Sequence, residues 1–514
     1  MPAWPVVLVL LLGGCLSLEP PARLPAPVAA APAAYPDAGV EGAYEPLRWW
    51  RAFGDPVLTR LVDSALAANL DLAEAAARVE EVRAQYRIVR SPLLPGVTAS
   101  ADASYSDGPS NTGTLSFLSR PGRGDSTDAG GGGGTARFSN TTYSASLGFA
   151  YELDFWGRVR NDARAALGEA FATEADYHTA RLGVLSETIA TYFEIVDLRA
   201  QIAVLVETID VLDERVEQTE TRYDRGLVSS FELYQVRQDY RNTQASLPQR
   251  ESQLADAESR LAVLLGRYAG RTASLLGEDL LPRLVFEPIP AGLPAALLVQ
   301  RPDVRAAAYR LEAARYRIGA RRAELFPTLS LSGALGTQGS DAGALLDVLD
   351  QWTLNLGAGL TAPLFQAGRL RADVDAAEAQ YAQRAAAYAR AVLTAYREVA
   401  AAMEDYEEQR QRYAFFLAQL DEAEASADLQ AARYEAGLTR YTDYLDALRT
   451  LYQVQASLSS AGREAALARL AIHRALGGGW TEDGAPPRFE LVPGVVPLPE
   501  APRVRSLPAT GGAN

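Results

Sequence analysis

Leu153-Asp154-Phe155-Trp156-Gly157-Arg158-Val159-Arg160, then Arg222-Tyr223-Asp224-Arg225-Gly226-Leu227, then Gln244-Ala245-Ser246-Leu247 mark out a segment that ends at Leu264-Leu265-Gly266. Adding 211 to each number lands on Leu364, on Gly368-Arg369-Leu370-Arg371, on Arg433-Tyr434-Glu435-Ala436-Gly437-Leu438, on Gln455-Ala456-Ser457-Leu458 and on Ala475-Leu476-Gly477. An ungapped echo over more than a hundred positions means that the chain is built as two copies of one structural unit.

After Gly157 each copy is helical. Ile202, Leu205, Ile209, Leu212 and Val216 follow 3-4 spacing, and Leu233, Val236, Tyr240, Thr243 and Leu247 do so on the return. Such heptad seams predict two long helices wound about neighbours as coiled coils. Gly226 and Gly437 fall between outgoing and returning helix, where a left-handed residue would close the turn. From Arg158 to Arg225, a rise of about 1.5 Å per residue gives a rod on the order of 100 Å, too long for a globular core. Pro248 lies inside the first returning helix and predicts a kink there, because proline removes a helical hydrogen bond. Its repeat partner is Ser459, so the two halves should not bend identically.

Ahead of the helices the period changes to two. Residues 97–105 and 143–153 alternate apolar and polar side chains in the first copy, as do 328–336 and 353–364 in the second. This is the pattern of a transmembrane β-barrel strand, one face to lipid and one to a polar lumen. A half-buried hairpin of a soluble sheet has the same period. The loops favour the barrel. Pro95 maps to Pro327 at an offset of 232 against 211 farther on, so the first hairpin is longer by 21 residues. The excess sits in Ser106 to Asn140, a polar stretch containing Gly130 to Gly134, while the other strand ends run straight into helices. Long polar loops on one side only match the sidedness of outer-membrane barrels.

A helix is predicted before each strand pair. Asp55-Pro56 reads as an N-cap and a proline at the first helical position, opening one helix that runs to about Arg90. Its counterpart runs from Arg301-Pro302-Asp303 to Leu325. Arg267 to Leu298 is a proline-bearing connector between the halves.

The N-terminal stretch, residues 1–14, carries an apolar run, Val6 to Leu12, too short to span a bilayer but suited to a secretory signal. Leu12-Gly13-Gly14-Cys15 resembles a bacterial lipobox, which implies cleavage before Cys15, its acylation and, with Leu16 next, sorting to the outer membrane. No Arg or Lys precedes the run, a departure from such signals. Residues 15–44 are dense in Pro and Ala and read as an extended tether. The organisation expected is a leader (1–14), this tether, one body (45–477, with first repeat 45–266, connector 267–298 and second repeat 299–477) and a Gly/Pro-rich tail (478–514).

Composition narrows the function classes. The formal charge of -15 offers no clustered cations for nucleic acid, and the 49 basic residues are all arginine. Cys15 is the one cysteine, and the two histidines, His178 and His473, stand isolated in helical pattern. A metal site needs three or four converging ligands, which no spacing here supplies. No nucleophile and base pair suggests an enzyme, and no cofactor fingerprint is present.

Together these residues resemble a known family, the TolC-like outer-membrane efflux proteins, in particular lipoprotein channels of the OprM and NodT type. The resemblance rests on Trp49-Trp50 through Phe53-Gly54-Asp55-Pro56 to Leu58, on Gly292-Leu293-Pro294 through Arg301-Pro302-Asp303-Val304-Arg305-Ala306-Ala307, on Phe326-Pro327, on Asp154-Phe155-Trp156-Gly157-Arg158 and on the paired R-Y-x-x-G-L turns. It covers about Leu47 to Gly477. It implies a mixed fold: a homotrimer in which each chain gives four antiparallel strands to a twelve-stranded transmembrane barrel, continuous with a coiled-coil α-helical barrel in the periplasm. The function implied is that of a passive exit duct in outer-membrane lipid, fed with small molecules by an inner-membrane pump through a periplasmic adaptor. A duct for protein secretion of type I and a non-conducting periplasmic coiled-coil scaffold are the competing readings.

The second turn is where a gate is expected. Asp443 and Asp446 stand three apart, hence on one helix face, and three chains would make two carboxylate rings whose members raise one another's pKa and attract cations. In the first copy the same positions are Glu232 and Gln235. The resemblance implies that Asp446 is the gating aspartate and Tyr434 part of the network that holds the turn closed. Two solvated carboxylates on a helix face are the plainer alternative.

Overall fold

A computed structural model describes residues 18, 20, 49–109, 137–270, 276, 301–341, 343 and 352–478. Cys15, most of the tether, the glycine-rich loop, most of the connector and the tail lie outside the described residues. Two compact units form, one containing 85–166 and 314–381, the other 49–84, 167–270, 301–313 and 382–478.

In the second unit a short 3-10 turn, Trp49–Phe53, precedes α1, Pro56–Ala68. Asp55 caps α1 as its position predicts, its Oδ1 accepting from the Val57 and Leu58 amides at 2.7 and 3.1 Å. The single helix expected from here to Arg90 is in fact two. Asn69 is extended (φ -67, ψ 131), and α2 restarts at Leu70–Arg90. The reason is capping: Asn69 Oδ1 accepts from the Leu72 amide at 3.1 Å, while its Nδ2 donates to the Leu264 carbonyl at 3.0 Å. One side chain thus serves the start of one helix and the end of another.

The first unit is organised by a four-stranded antiparallel sheet in the order β1 (Gly96–Pro109), β2 (Arg137–Leu153), β3 (Thr328–Gly339), β4 (Trp352–Thr361). Register puts Val97, Phe149, Gly333 and Leu356 in one line across it. A Cβ at Gly333 would collide with the Phe149 ring, so this glycine makes room for an aromatic on the neighbouring strand. The chain covers little of the sheet. All ten residues of β4 are exposed, and so are Val97, Tyr105, Leu147 and Leu335.

Two long helical hairpins and one shorter helix complete the fold of the described residues: α3 (Arg158–Asp224) with α4 (Ser230–Leu264), α5 (Pro302–Ala323), then α6 (Arg369–Glu435) with α7 (Tyr441–Ala475). The members of each equivalent pair have the same length, 67 residues for α3 and α6 and 35 for α4 and α7. Pro248 sits inside α4, which continues through it over the same span as α7. Ser459, its repeat partner, donates to buried Asp197 at 2.7 Å.

The quoted motifs become packing. Trp49 and Trp50 are buried, with Trp49 stacked on His473 at 4.5 Å, and Phe53 lies against Phe193. Tyr192 donates to Asp55, tying the α1 cap to α3. Arg301, buried at the head of α5, donates to the Ala475 carbonyl at 2.7 Å and pairs with Asp303 and Glu398. Trp156 stacks on Phe326 at 4.6 Å and donates to the Pro327 carbonyl at 2.8 Å, joining the passage from β2 into the following helix to the passage from the preceding helix into β3. Both histidines are buried; burial lowers the pKa of His178 to about 4 and that of His473 to about 3, so each imidazole is neutral.

Candidate functional site: the helical hairpin tips

Each long helix ends in a glycine with a left-handed backbone, Gly226 at φ +71° and Gly437 at φ +73°. The closing bonds match: Gly226 N to Tyr223 O (2.8 Å) and Leu227 N to Arg222 O (2.9 Å), against Gly437 N to Tyr434 O (3.0 Å) and Leu438 N to Arg433 O (2.8 Å). This paired arrangement leaves the last carbonyls satisfied and turns the chain at once.

Above the second turn Tyr434, Tyr441 and Tyr444 form an aromatic cluster. Tyr434 stacks parallel on Tyr444 at 6.0 Å and meets Tyr441 edge-on at 5.6 Å. Leu212 and Val236 of the first hairpin and Leu445 and Leu448 of the second close the core around them. Two arginines of α3 cover the rings. Arg222 donates to the Tyr434 hydroxyl at 2.8 Å, and Arg215 lies 4.9 Å over the Tyr444 ring and donates to its hydroxyl at 3.3 Å. Burial, ahead of any charge, raises the pKa of Tyr434 and of Tyr441, so the phenols remain protonated.

The two aspartates have unlike surroundings. Asp443 is the third residue of α7 and reaches back over the helix start: Oδ2 accepts from the Thr439 hydroxyl at 2.8 Å and from the Arg440 amide at 3.4 Å. Its pKa is lowered, first by the Thr439 hydroxyl and then by the Arg440 amide and guanidinium. Within the single chain, then, the capping carboxylate is held charged by its donors. Asp446 is exposed, with Arg449 Nη1 at 3.6 Å.

Sequence reasoning missed Arg215, Arg222, Asp239, Tyr441 and Arg449 as members of this site. Arg222 lay inside the repeated R-Y-x-x-G-L text, and the asymmetry of Asp239 and Arg449, whose repeat positions are Thr450 and Gln238, was a legible signal. Among the described residues no group of three or more His, Cys, Asp or Glu could hold a metal ion. No helix among them is long and apolar enough to cross a membrane, which leaves the β-sheet as the element to consider for that role.

The family profile described as "Outer membrane efflux protein" matches residues 61–267 and 293–478, one segment in each copy. The "Pyoverdine export outer membrane protein OpmQ" of Pseudomonas aeruginosa is 32% identical over 481 residues, 92% of this chain and 97% of that protein. The "Toluene efflux pump outer membrane protein TtgC" of Pseudomonas putida is 32% identical over 488 residues, 93% of this chain and 95% of that protein. Among solved structures, the outer-membrane channel OprN superposes with a TM-score of 0.78 at 29% identity, covering 90% of this chain and 99% of that one. A sheet with uncovered strands, helical hairpins repeated at a fixed offset and these matches along both copies lead to one family: the chain belongs to the outer membrane efflux proteins, TolC-like channels of transport and not of catalysis.

Proposed function

We propose that this efflux channel works as a homotrimer, anchored at Cys15, whose periplasmic entrance is closed at the second hairpin turn. The observation that carries the trimer is the sheet. Its outer strands β1 and β4 have one partner each among the described residues, and β4 exposes every residue, Leu354, Leu356 and Leu360 included. In lipid each unpaired backbone group costs several kcal/mol, so such edges need other strands. Four strands do not close a barrel, and eight enclose a lumen filled by side chains, so a pore takes three chains or more. Twelve strands from three chains meet that requirement with one repeated interface.

Cys15 is supported by the chain that follows it. The carbonyls of Leu18 and Pro20 accept from Arg322 and Arg315, each at 3.1 Å, in the same unit as the sheet. An acyl group three residues before Leu18 would be held close to the strands that meet lipid. Changing Cys15→Ser should abolish incorporation of labelled palmitate.

At the entrance, Gly226 and Gly437 set the turns, Tyr434 locks the second hairpin to the first through Arg222, and Asp443 and Asp446 supply the charge. The substrate is delivered by an inner-membrane pump through a periplasmic adaptor, in keeping with the pump named for TtgC. OpmQ is named for pyoverdine and TtgC for toluene, so the duct itself does little choosing, and small molecules as a class are its cargo. The test is native mass spectrometry in detergent followed by planar-bilayer recording. Three chains, and a divalent-cation block weakened by Asp443→Ala with Asp446→Ala, are expected. A conducting monomer, or a block untouched by the double change, would overturn the reading.

A further inference from the structure

The two copies begin their long helices in unlike ways. At the start of α3, Asp154 fills the place before the first turn: Oδ1 accepts from the Val159 amide at 3.2 Å and Oδ2 from the Arg160 amide at 2.8 Å, with Arg160 Nε at 3.3 Å. Its side chain is 10% exposed. Adding 211 puts Phe365 where Asp154 stands, with Leu370 and Arg371 where Val159 and Arg160 stand. At the helix start itself the backbone matches. Gly157 and Gly368 are both left-handed, at φ +76° and +84°, and the first helical bonds, Asn161 N to Gly157 O and Ala372 N to Gly368 O, measure 2.9 and 3.0 Å. Just before it, exposed Ala367 (φ +48°) takes the place of Trp156.

What α3 satisfies from within, α6 leaves open. The Leu370 and Arg371 amides donate to no group among the described residues, and the exposed Arg371 guanidinium pairs with no carboxylate among them. Its neighbour Arg369 pairs with Asp373 at 2.9 Å. The first turn of α6 contains no acidic residue, so the positive end of a 67-residue helix and a free guanidinium lie within one turn of each other, uncompensated. The chain leading into them is apolar and bare. Leu364 is 95% exposed and Phe365 88%, and they continue from β4, whose Leu354, Leu356 and Leu360 are also exposed. Apolar surface passing directly into arginine and free amides fits one class of ligand, an acyl chain joined to phosphate. A guanidinium takes phosphate oxygens in a bidentate fork, and amides at a helix start bind the same group.

We propose that the start of α6 binds the phosphate of an anionic phospholipid in the place that Asp154 occupies in the first copy, with the acyl chains along Leu364, Phe365 and the exposed residues of β4. That placement rests on reading the sheet as the part of the channel that crosses the outer membrane, and it puts the lipid in the leaflet at the helix end of the strands. The first copy performs the same chemistry with a carboxylate of its own: two amides and one arginine hold an anion at the head of α3. At the head of α6 the anion comes from the membrane. The bound lipid then fixes the depth at which β4 passes into its helix.

The experiment strips the full-length protein of lipid in detergent, adds phosphatidylglycerol back and reads the lipid retained per chain by native mass spectrometry. Arg371→Gln should weaken retention on the order of tenfold, as for the loss of one charge-assisted contact. Phe365→Asp, which gives the second copy the carboxylate of the first, should abolish it, whereas Phe365→Ala should lower it only slightly. Arg87→Gln, at an exposed arginine near β1 that is also unpaired among the described residues, should leave it at the parent level. Inorganic phosphate at millimolar concentration should not displace the lipid. Equal losses in Arg371→Gln and Arg87→Gln would overturn the site in favour of diffuse charge, and displacement by inorganic phosphate would overturn the lipid as its ligand. A Phe365→Asp chain that keeps the lipid would overturn the proposal. So would a parent trimer that retains none, since a neighbouring chain then covers the position. The same spectra count chains: a monomeric parent that binds lipid as expected would end the trimer reading and support this one.

Discussion

The two hairpin turns have the same backbone and different fates. Gly226 and Gly437 differ by two degrees in φ, and the helices on either side match in length. Yet Tyr434 is buried while its repeat partner Tyr223 is 43% exposed, and Leu445 is buried while Tyr234, in the same place in the first copy, is 65% exposed. The first hairpin supplies cations, Arg215 and Arg222, and the second supplies the rings they cover. Duplication made the rods; divergence of a few side chains made one hairpin the source of the cations and the other the aromatic cluster they cover.

The comparison is broken most readily at its core. Leu445→Ala should destabilise the helical unit by about 2–5 kcal/mol, as for a buried leucine, whereas Tyr234→Ala should stay within about 0.5 kcal/mol. Thermal unfolding of the assembled protein checks both, and similar losses at the two sites would refute the asymmetry. The backbone comparison is sharpened by Gly226→Ala and Gly437→Ala. Both turns have open space around the glycine, so each change should cost about 1–2 kcal/mol, the strain of a left-handed residue with a Cβ, and the same amount at the two sites. Unequal losses in the same unfolding assay would mean that the turns are held differently after all.

The smallest effect concerns acid. Asp443 has its pKa lowered below the ordinary 3.8 in the folded chain, so it binds fewer protons there than when unfolded. Its contribution is present above that ordinary value and is lost as pH falls through the lowered one. Asp443→Asn should therefore flatten the acid limb of the unfolding profile below about pH 4, the ordinary carboxylate range. An unchanged acid limb would show that the Thr439 contact does not hold the turn.

The histidines teach a related lesson. Isolated in helical pattern, His178 and His473 gave no sign of a site, and the structure makes them core residues. Whether a histidine on a helix faces water depends on what packs against it, here Trp49 brought from far upstream to lie on His473. Likewise, an Asn at position 69 in an otherwise helical run reads as a tolerated residue until the carbonyl of Leu264 arrives to take its amide.

What the sequence by itself determined was the repeated backbone: helix and strand periods, the Asp55 cap, the glycine turns and the offset between copies. These are legible because each follows from neighbours a few residues apart, through alternation, capping and the freedom of glycine. What only the tertiary structure decided was which polar groups leave water together. Arg222 meets Tyr434 across 212 positions and Arg449 meets Asp239 across 210. No local pattern encodes such a meeting, because desolvation and pairing are set by the packing of one rod on another. The physics that makes the hairpins can be read along the chain; the physics that holds them to each other exists only between them.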